Sequence, residues 1–272
     1  MASNQVNQTM RYRILAGLIA LPSATMFGQN PGQNIQVTVS VSSVTKTADT
    51  TGVSYVLTNL SASAEPVWHY YVDAPGGVVR MTPSTGLLEW RTSAIARQVP
   101  VASWMFYNDY LNPGTATPQL HFESTGLPGI LSYRAGGWFP VPVGGDELQT
   151  DTSPVPDQFF TNTITGKTVG VDAWPVDRTS KALIARLRTL TQTSCAVPLK
   201  WVTVASLCTN LITYLDQAET YRAAGNATKA KSTMATYIKA LTGKTAGTFA
   251  TGVTNPGYWL LKPNADIVVS KL

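Results

Sequence analysis

Apolar residues between about Asn34 and Asp172 recur at every second position in short runs, broken by Gly/Pro-rich separators. "IQVTVSVSSV" puts Ile35, Val37, Val39 and Val41 on one face, the pattern of a half-buried strand. "GVSYVLTNL" does the same with Val53, Tyr55 and Leu57. Further strand-like runs are "VWHYYVD", "VPVASWMFY", "ATPQLHFES", "GILSYRA" and "KTVGVDAW", and the separators "APGG", "NPGT", "GLPG" and "PVPVGGDE" carry turn chemistry. Many short strands with no helical pattern between them predict an antiparallel β-sandwich over residues 33–175.

Beyond Pro175 the period changes to that of a helix. Leu183, Leu187 and Leu190 form one stripe behind Thr179 or Ser180 as N-cap. Leu207, Leu211, Leu215 and Ala218 form a second, ending at Gly225 as the residue past the helix. Asn226 then caps a third, with Ala230, Met234, Ile238 and Leu241 inward and Gly243 closing it. In "NPGYWLL" Asn255 is the expected cap and Pro256 the first helical residue, with a break expected at Pro263. Residues 178–272 are thus predicted to be a small antiparallel helical bundle, and the fold class is α+β by segregation.

The start of the chain has a different character. Arg11 and Arg13 precede the apolar run "ILAGLIALPSATMF" and then "GQNPGQN", the layout of a secretory signal peptide over residues 1–28 with cleavage near Gly28. Met10 is a possible initiator, which would make residues 1–9 an upstream extension. A run of this length is short for a bilayer span, although an uncleaved anchor is the alternative. No later segment is long and apolar enough to span, so no membrane span is expected after cleavage. Cys195 and Cys208, the two cysteines of the chain, fit a single disulfide in an oxidising compartment. An extracellular or cell-surface location follows.

Composition narrows the function. Charged residues make up 13% of the chain, about half the usual share of roughly 25%. They are also segregated: residues 178–272 carry 12 Lys/Arg against 3 Asp/Glu, and residues 29–177 carry 6 against 12. The basic half is compatible with an acidic polysaccharide or an anionic surface. Its lysines are spread singly over helix faces, so a solvated face is expected rather than a nucleic-acid interface.

Candidate chemistry is sparse. His69 and His121 each lie inside a predicted strand, with no His-x-His or HExxH spacing, and no metal site is expected. No G-x-S-x-G elbow and no phosphate-cradling loop is found, so neither a nucleophilic serine nor a cofactor is assigned. Asp73, Glu89, Asp109, Glu123, Asp146 and Glu147 are the carboxylates that a polymer-acting hydrolase would draw on. Asp146, Glu147 and Asp151 are a weak calcium candidate. The aromatic residues Trp68, Tyr70, Trp104 and Trp138 are the candidate ligand-binding set, since flat rings stack on sugars. Against this, "VWHYYVD" and "ASWMFY" are apolar on both faces, which suits strands buried on two sides.

"YVLTNLSASAEPVWHYYVD", "WMFYNDYLNPGTATPQLHFESTGLPGILSY" and "ITGKTVGVDAWP" resemble a loose group of uncharacterised exported bacterial proteins. The helical part resembles the small extracellular modules of the FIVAR type. "TPSTGLLEW" departs from the group, whose members more often have a Pro-x-Gly-Trp turn there. The resemblance implies compartment and architecture and assigns no catalytic residue. Together these readings predict a secreted or cell-surface, non-enzymatic interaction module, with carbohydrate or another envelope component as ligand. A polymer-acting hydrolase and a filament or spacer subunit are the alternatives.

Overall fold

A computed structural model describes residues 34–47, 49–82, 100–106, 110–137, 163–245 and 248–272. The expected signal segment, Trp138, and the acidic residues Glu89, Asp109, Asp146, Glu147 and Asp151 lie outside them. Eight described strands form two four-stranded antiparallel sheets. The first has the order β1-β2-β6-β4, with β1 at Val37–Lys46, β2 at Thr50–Asn59, β4 at Arg80–Thr82 and β6 at Leu120–Thr125. The second has the order β5-β3-β7-β8, with β3 at Val67–Asp73, β5 at Val101–Met105, β7 at Leu127–Gly137 and β8 at Ile164–Asp172. The predicted faces account for the pairing. Val53, Tyr55 and Leu57 are fully buried, and the Tyr55 ring meets Tyr70 and Trp104 of the second sheet. The three-residue β4 was not legible in the sequence.

Four helices follow: α1 Ser180–Cys195, α2 Ala205–Ala223, α3 Ala227–Leu241 and α4 Asn255–Lys271. Each packs on the next and α4 returns to α1, closing a bundle. Thr179 and Asn226 cap α1 and α3 with their side-chain oxygens, as their residue types predict. Gly225 takes the left-handed backbone (φ 72°) that ends α2. The disulfide Cys195–Cys208 is formed, tying the end of α1 to the start of α2. Closing a loop of this length stabilises by about 3 kcal/mol in the chain-entropy account.

Two expectations about α4 are corrected. Its N-cap is Thr254, whose hydroxyl accepts from the Gly257 N–H, and not Asn255. Asn255 is used elsewhere. Its side-chain amide donates to the Val41 carbonyl and accepts from the Val41 N–H, both at 2.8 Å, pairing with the open edge of β1 as a neighbouring strand would. These two bonds satisfy one position of an edge that would otherwise invite strand addition. Nor does Pro263 break the helix, which runs unbroken to Lys271. Proline deprives the Trp259 carbonyl of its helical donor, but the Asn264 amide donates to the Leu260 carbonyl at 2.7 Å and braces the loosened turn.

Asn264 also joins helix to sheet. It donates to the Pro128 carbonyl of β7 at 3.0 Å and accepts from Arg186 of α1 at 2.8 Å. Arg186 reaches Pro128 as well and pairs with Asp172 at 3.2 Å. Helix α4 is therefore buried on nearly every side, touching α1, α3, β1, β7 and β8. Replacing Asn264 with leucine keeps the volume but strands buried polar groups. The expected loss is about 1–3 kcal/mol by chemical denaturation, and a change within about 0.5 kcal/mol would remove this node from the account.

Candidate functional site

Three of the four sequence-proposed aromatic residues lie in the interior. Tyr70 and Trp104 are fully buried and Trp68 is 8% exposed. Tyr70 and Trp104 face each other across the β3–β5 pair, with ring centroids 5.6 Å apart. From the other sheet, Tyr55 and Phe122 come within 6.2 Å of Trp104. Trp68 is the extra residue of a bulge in β3 and packs edge-on to His69. These rings present no open face for stacking. His69 and Tyr71, on the reverse side of β3, are buried too, so the two-sided apolar pattern of this strand reflects burial on both faces.

A Ser-His-Glu series lies on the first sheet. Ser54 of β2 bonds His121 Nδ1 at 2.9 Å, and His121 Nε2 lies 3.4 Å from Glu123. The residue types are those of acyl transfer, but the geometry serves β2–β6 cohesion. Ser54 is 4% exposed, closed to a substrate. A neutral imidazole protonated at Nε2 donates to Glu123 and accepts from the serine hydroxyl, and an imidazolium donates to both. The array is thus satisfied in either charge state. Among the described residues, no group of three or more His, Cys, Asp or Glu side chains is placed to hold a metal.

An accessible recess lies instead between β1 and α4. It is a cleft of about 430 Å³, within the range of small-ligand sites. Its formation begins with the bulge in β1. The register jumps between Val41 and Ser43, so Val44 and then Lys46 turn to the side where α4 lies. From α4, Trp259, Lys262, Asp266 and Ser270 line the opposite wall, over a floor that includes Pro263 and Ile267. These spacings of three to four residues put the lining groups on one helical stripe. Trp259 is half-buried and braced edge-on by Tyr258, with centroids 5.2 Å apart.

The polar groups are held in place. Lys262 pairs with Asp266 at 2.7 Å, one turn along the helix. Lys46 donates to the carbonyls of Thr47 and Thr50 at 2.6 and 3.2 Å, and its ammonium stands 5.0 Å from the centre of the Trp174 ring. Arg178 lies 4.5 Å from the same ring. Burial pushes the Lys46 ammonium below its ordinary pKa; Asp49 opposes the shift and Arg178 adds to it. The cleft thus offers one aromatic wall, an apolar floor and the Lys262–Asp266 ion pair, with Lys46 contributing to its β1 side while its ammonium is held by the Thr47 and Thr50 carbonyls.

Sequence reasoning did not find this site. The stripe Trp259, Lys262, Asp266 and Ser270 is visible in the sequence, but only if the helix is allowed to continue through Pro263. No protein-family model matches the chain, and no curated protein matches it.

Proposed function

We propose that this protein is an exported, non-enzymatic binding module and that the β1–α4 cleft takes carbohydrate. One observation carries the reading: a half-buried tryptophan, Trp259, in a recess that is also lined by the Lys262–Asp266 pair and by Lys46. A sugar ring has an apolar face for the indole and vicinal hydroxyls that both donate and accept, which suits a cation and a carboxylate one helical turn apart. The formed disulfide supports an oxidising compartment. Among the described residues, no helix is long and apolar enough to cross a membrane. The resemblance to exported bacterial proteins points the same way.

A glycan array probed with the purified protein and with Trp259→Ala tests this reading. Binding by the parent chain, weakened at least about tenfold in the variant as for an interface anchor, is the expected result. Circular dichroism of the variant should report an intact fold. Glycan binding indifferent to Trp259 would move the site elsewhere, and absence of binding across neutral and acidic glycans would end the carbohydrate reading.

A further inference from the structure

The lysines of the helical half stand singly in the sequence, but the fold collects three of them at one end of the bundle. The loop from α1 to α2 and the loop from α3 to α4 meet there. The Thr203 N–H donates to the Gly252 carbonyl at 2.8 Å, Val202 and Val253 form an isolated bridge, and the Val204 side chain lies against Gly252. The disulfide closes the first loop at its base. Its tip faces outward: Val197 is 74% exposed and Val204 38%, two of the four exposed large hydrophobic residues among the described residues, and Pro198 is exposed beside them.

Charge is arranged to match. Lys200 stands in the same loop, Lys239 in the last turn of α3 and Lys244 just past it, and all three are exposed. No Asp or Glu occurs at residues 194–215 or 239–265. The three carboxylates of the bundle, Asp216, Glu219 and Asp266, therefore fall in the far halves of α2 and α4. Lys200 also takes a left-handed backbone (φ 44°), which a residue with a side chain adopts only at a cost.

We infer that this end of the bundle docks on an anionic lipid membrane, with Val197, Pro198 and Val204 entering the headgroup layer while Lys200, Lys239 and Lys244 meet its phosphates. The inference stands apart from the β1–α4 cleft. Aliphatic side chains flanked by cations, with no carboxylate to be repelled, suit such a surface, because apolar burial and lipid charge act together. The closed loop presents them preformed, so docking loses little conformational entropy. A protein partner more often meets Trp, Tyr or Arg at the centre of a patch, and lysine is depleted from protein interfaces. A single-stranded nucleic acid needs exposed aromatic rings and a continuous basic groove. The exposed residues of this loop, 196–198, 200 and 203–206, include no aromatic side chain.

The test is co-sedimentation of the purified protein with vesicles of phosphatidylcholine mixed with phosphatidylglycerol, and with vesicles of phosphatidylcholine alone. The mixed vesicles should bind at least about tenfold more tightly, since each lysine near an anionic surface contributes about fivefold. Lys200→Gln and Lys244→Gln should each weaken binding by about fivefold, and Val197→Ser by about tenfold through lost apolar burial. Lys229→Gln, at the other end of α3, and Val79→Ser, in the sheet half, should bind as the parent does. All of these positions are exposed, so circular dichroism should report an intact fold. Absence of binding to the mixed vesicles, or equal binding to both kinds, would overturn the inference. Binding indifferent to both lysine variants would overturn it too, placing the contact elsewhere on the chain. Binding weakened by the lysine variants but not by Val197→Ser would overturn it in favour of polyanion capture by charge alone, which soluble polyphosphate should then match.

Discussion

Replacing Trp104 with alanine should destabilise the protein by about 3–5 kcal/mol, the cost of emptying a large aromatic site in a packed core. The ring is fully buried and is surrounded by Tyr70, Tyr55 and Phe122, from both sheets. Aromatic pairs of this kind add about 0.5–1.5 kcal/mol each beyond the burial of area. Of its neighbours, Tyr55 is pinned by its hydroxyl to the Val169 carbonyl at 2.6 Å, which limits its movement into the space. Equilibrium urea unfolding measures the loss, and Trp104→Phe should recover a good part of it by keeping a ring between the sheets. The same experiment separates interior from site. A variant with the parental unfolding midpoint and lost glycan binding would return Trp104 to the surface and sink the packing described here. The contrast with Trp259→Ala is therefore informative. One tryptophan should cost stability, the other ligand affinity.

Much of the architecture could be read from the sequence because local and global preferences agree. Alternation at Val53, Tyr55 and Leu57 specifies one face of β2, and that face is the buried one. The stripes through Leu187, Leu211, Leu215 and Met234 do the same for three helices. Their ends follow from caps at Thr179 and Asn226 and from the left-handed Gly225. What failed was the reading of residues whose roles are set at long range. Asn255 looks like a helix cap, but its amide is used by Val41, more than two hundred residues away, and Thr254 takes the cap. Pro263 looks like a helix breaker, but Asn264 braces its turn and the bundle holds both sides. The misplaced break then hid the site, because Trp259 and Asp266 share a face only in one continuous helix. The bulge in β1 had no sequence mark either. Ser42 and Ser43 read as ordinary alternation, so Lys46 was not expected to turn toward α4.

The same long-range packing makes α4 a joint member of two cores. Its buried side chains touch the bundle through α1 and α3 and the sheets through β1, β7 and β8. Charge accompanies this arrangement, with a positive helical half against a negative sheet half. The Arg186–Asp172 pair is one place where the two signs meet at the junction. Loss of one layer would strip apolar cover from the other, so a cooperative transition is expected rather than a stepwise one.

Alkaline titration tests that cooperativity and should unfold the whole described structure above about pH 10. Tyr55, Tyr70 and Tyr237 are fully buried, and burial raises the pKa of each phenol. Tyr55 and Tyr133 raise Tyr70 further by their proximity, and a bond to the Thr191 hydroxyl at 2.7 Å offsets part of the shift at Tyr237. In the unfolded chain all three ionise near pH 10. Above that value the native state holds protons that the unfolded state has released, so stability falls as pH rises; below it, their full contribution is retained. Three such groups give a slope of about 4 kcal/mol per pH unit, enough to consume the whole stability of an ordinary domain within about two to three units. Two of these tyrosines lie between the sheets and the third lies in the bundle. If α4 couples the layers, the buried phenolates should appear together with the loss of both strand and helix circular dichroism. Tyr237→Phe should shallow the slope by about 1.4 kcal/mol per pH unit. Phenolate absorbance that is complete near pH 10 with the helical signal intact would refute the burial of these rings. Separate sheet and helix transitions would show that α4 does not bind the two layers into one cooperative unit.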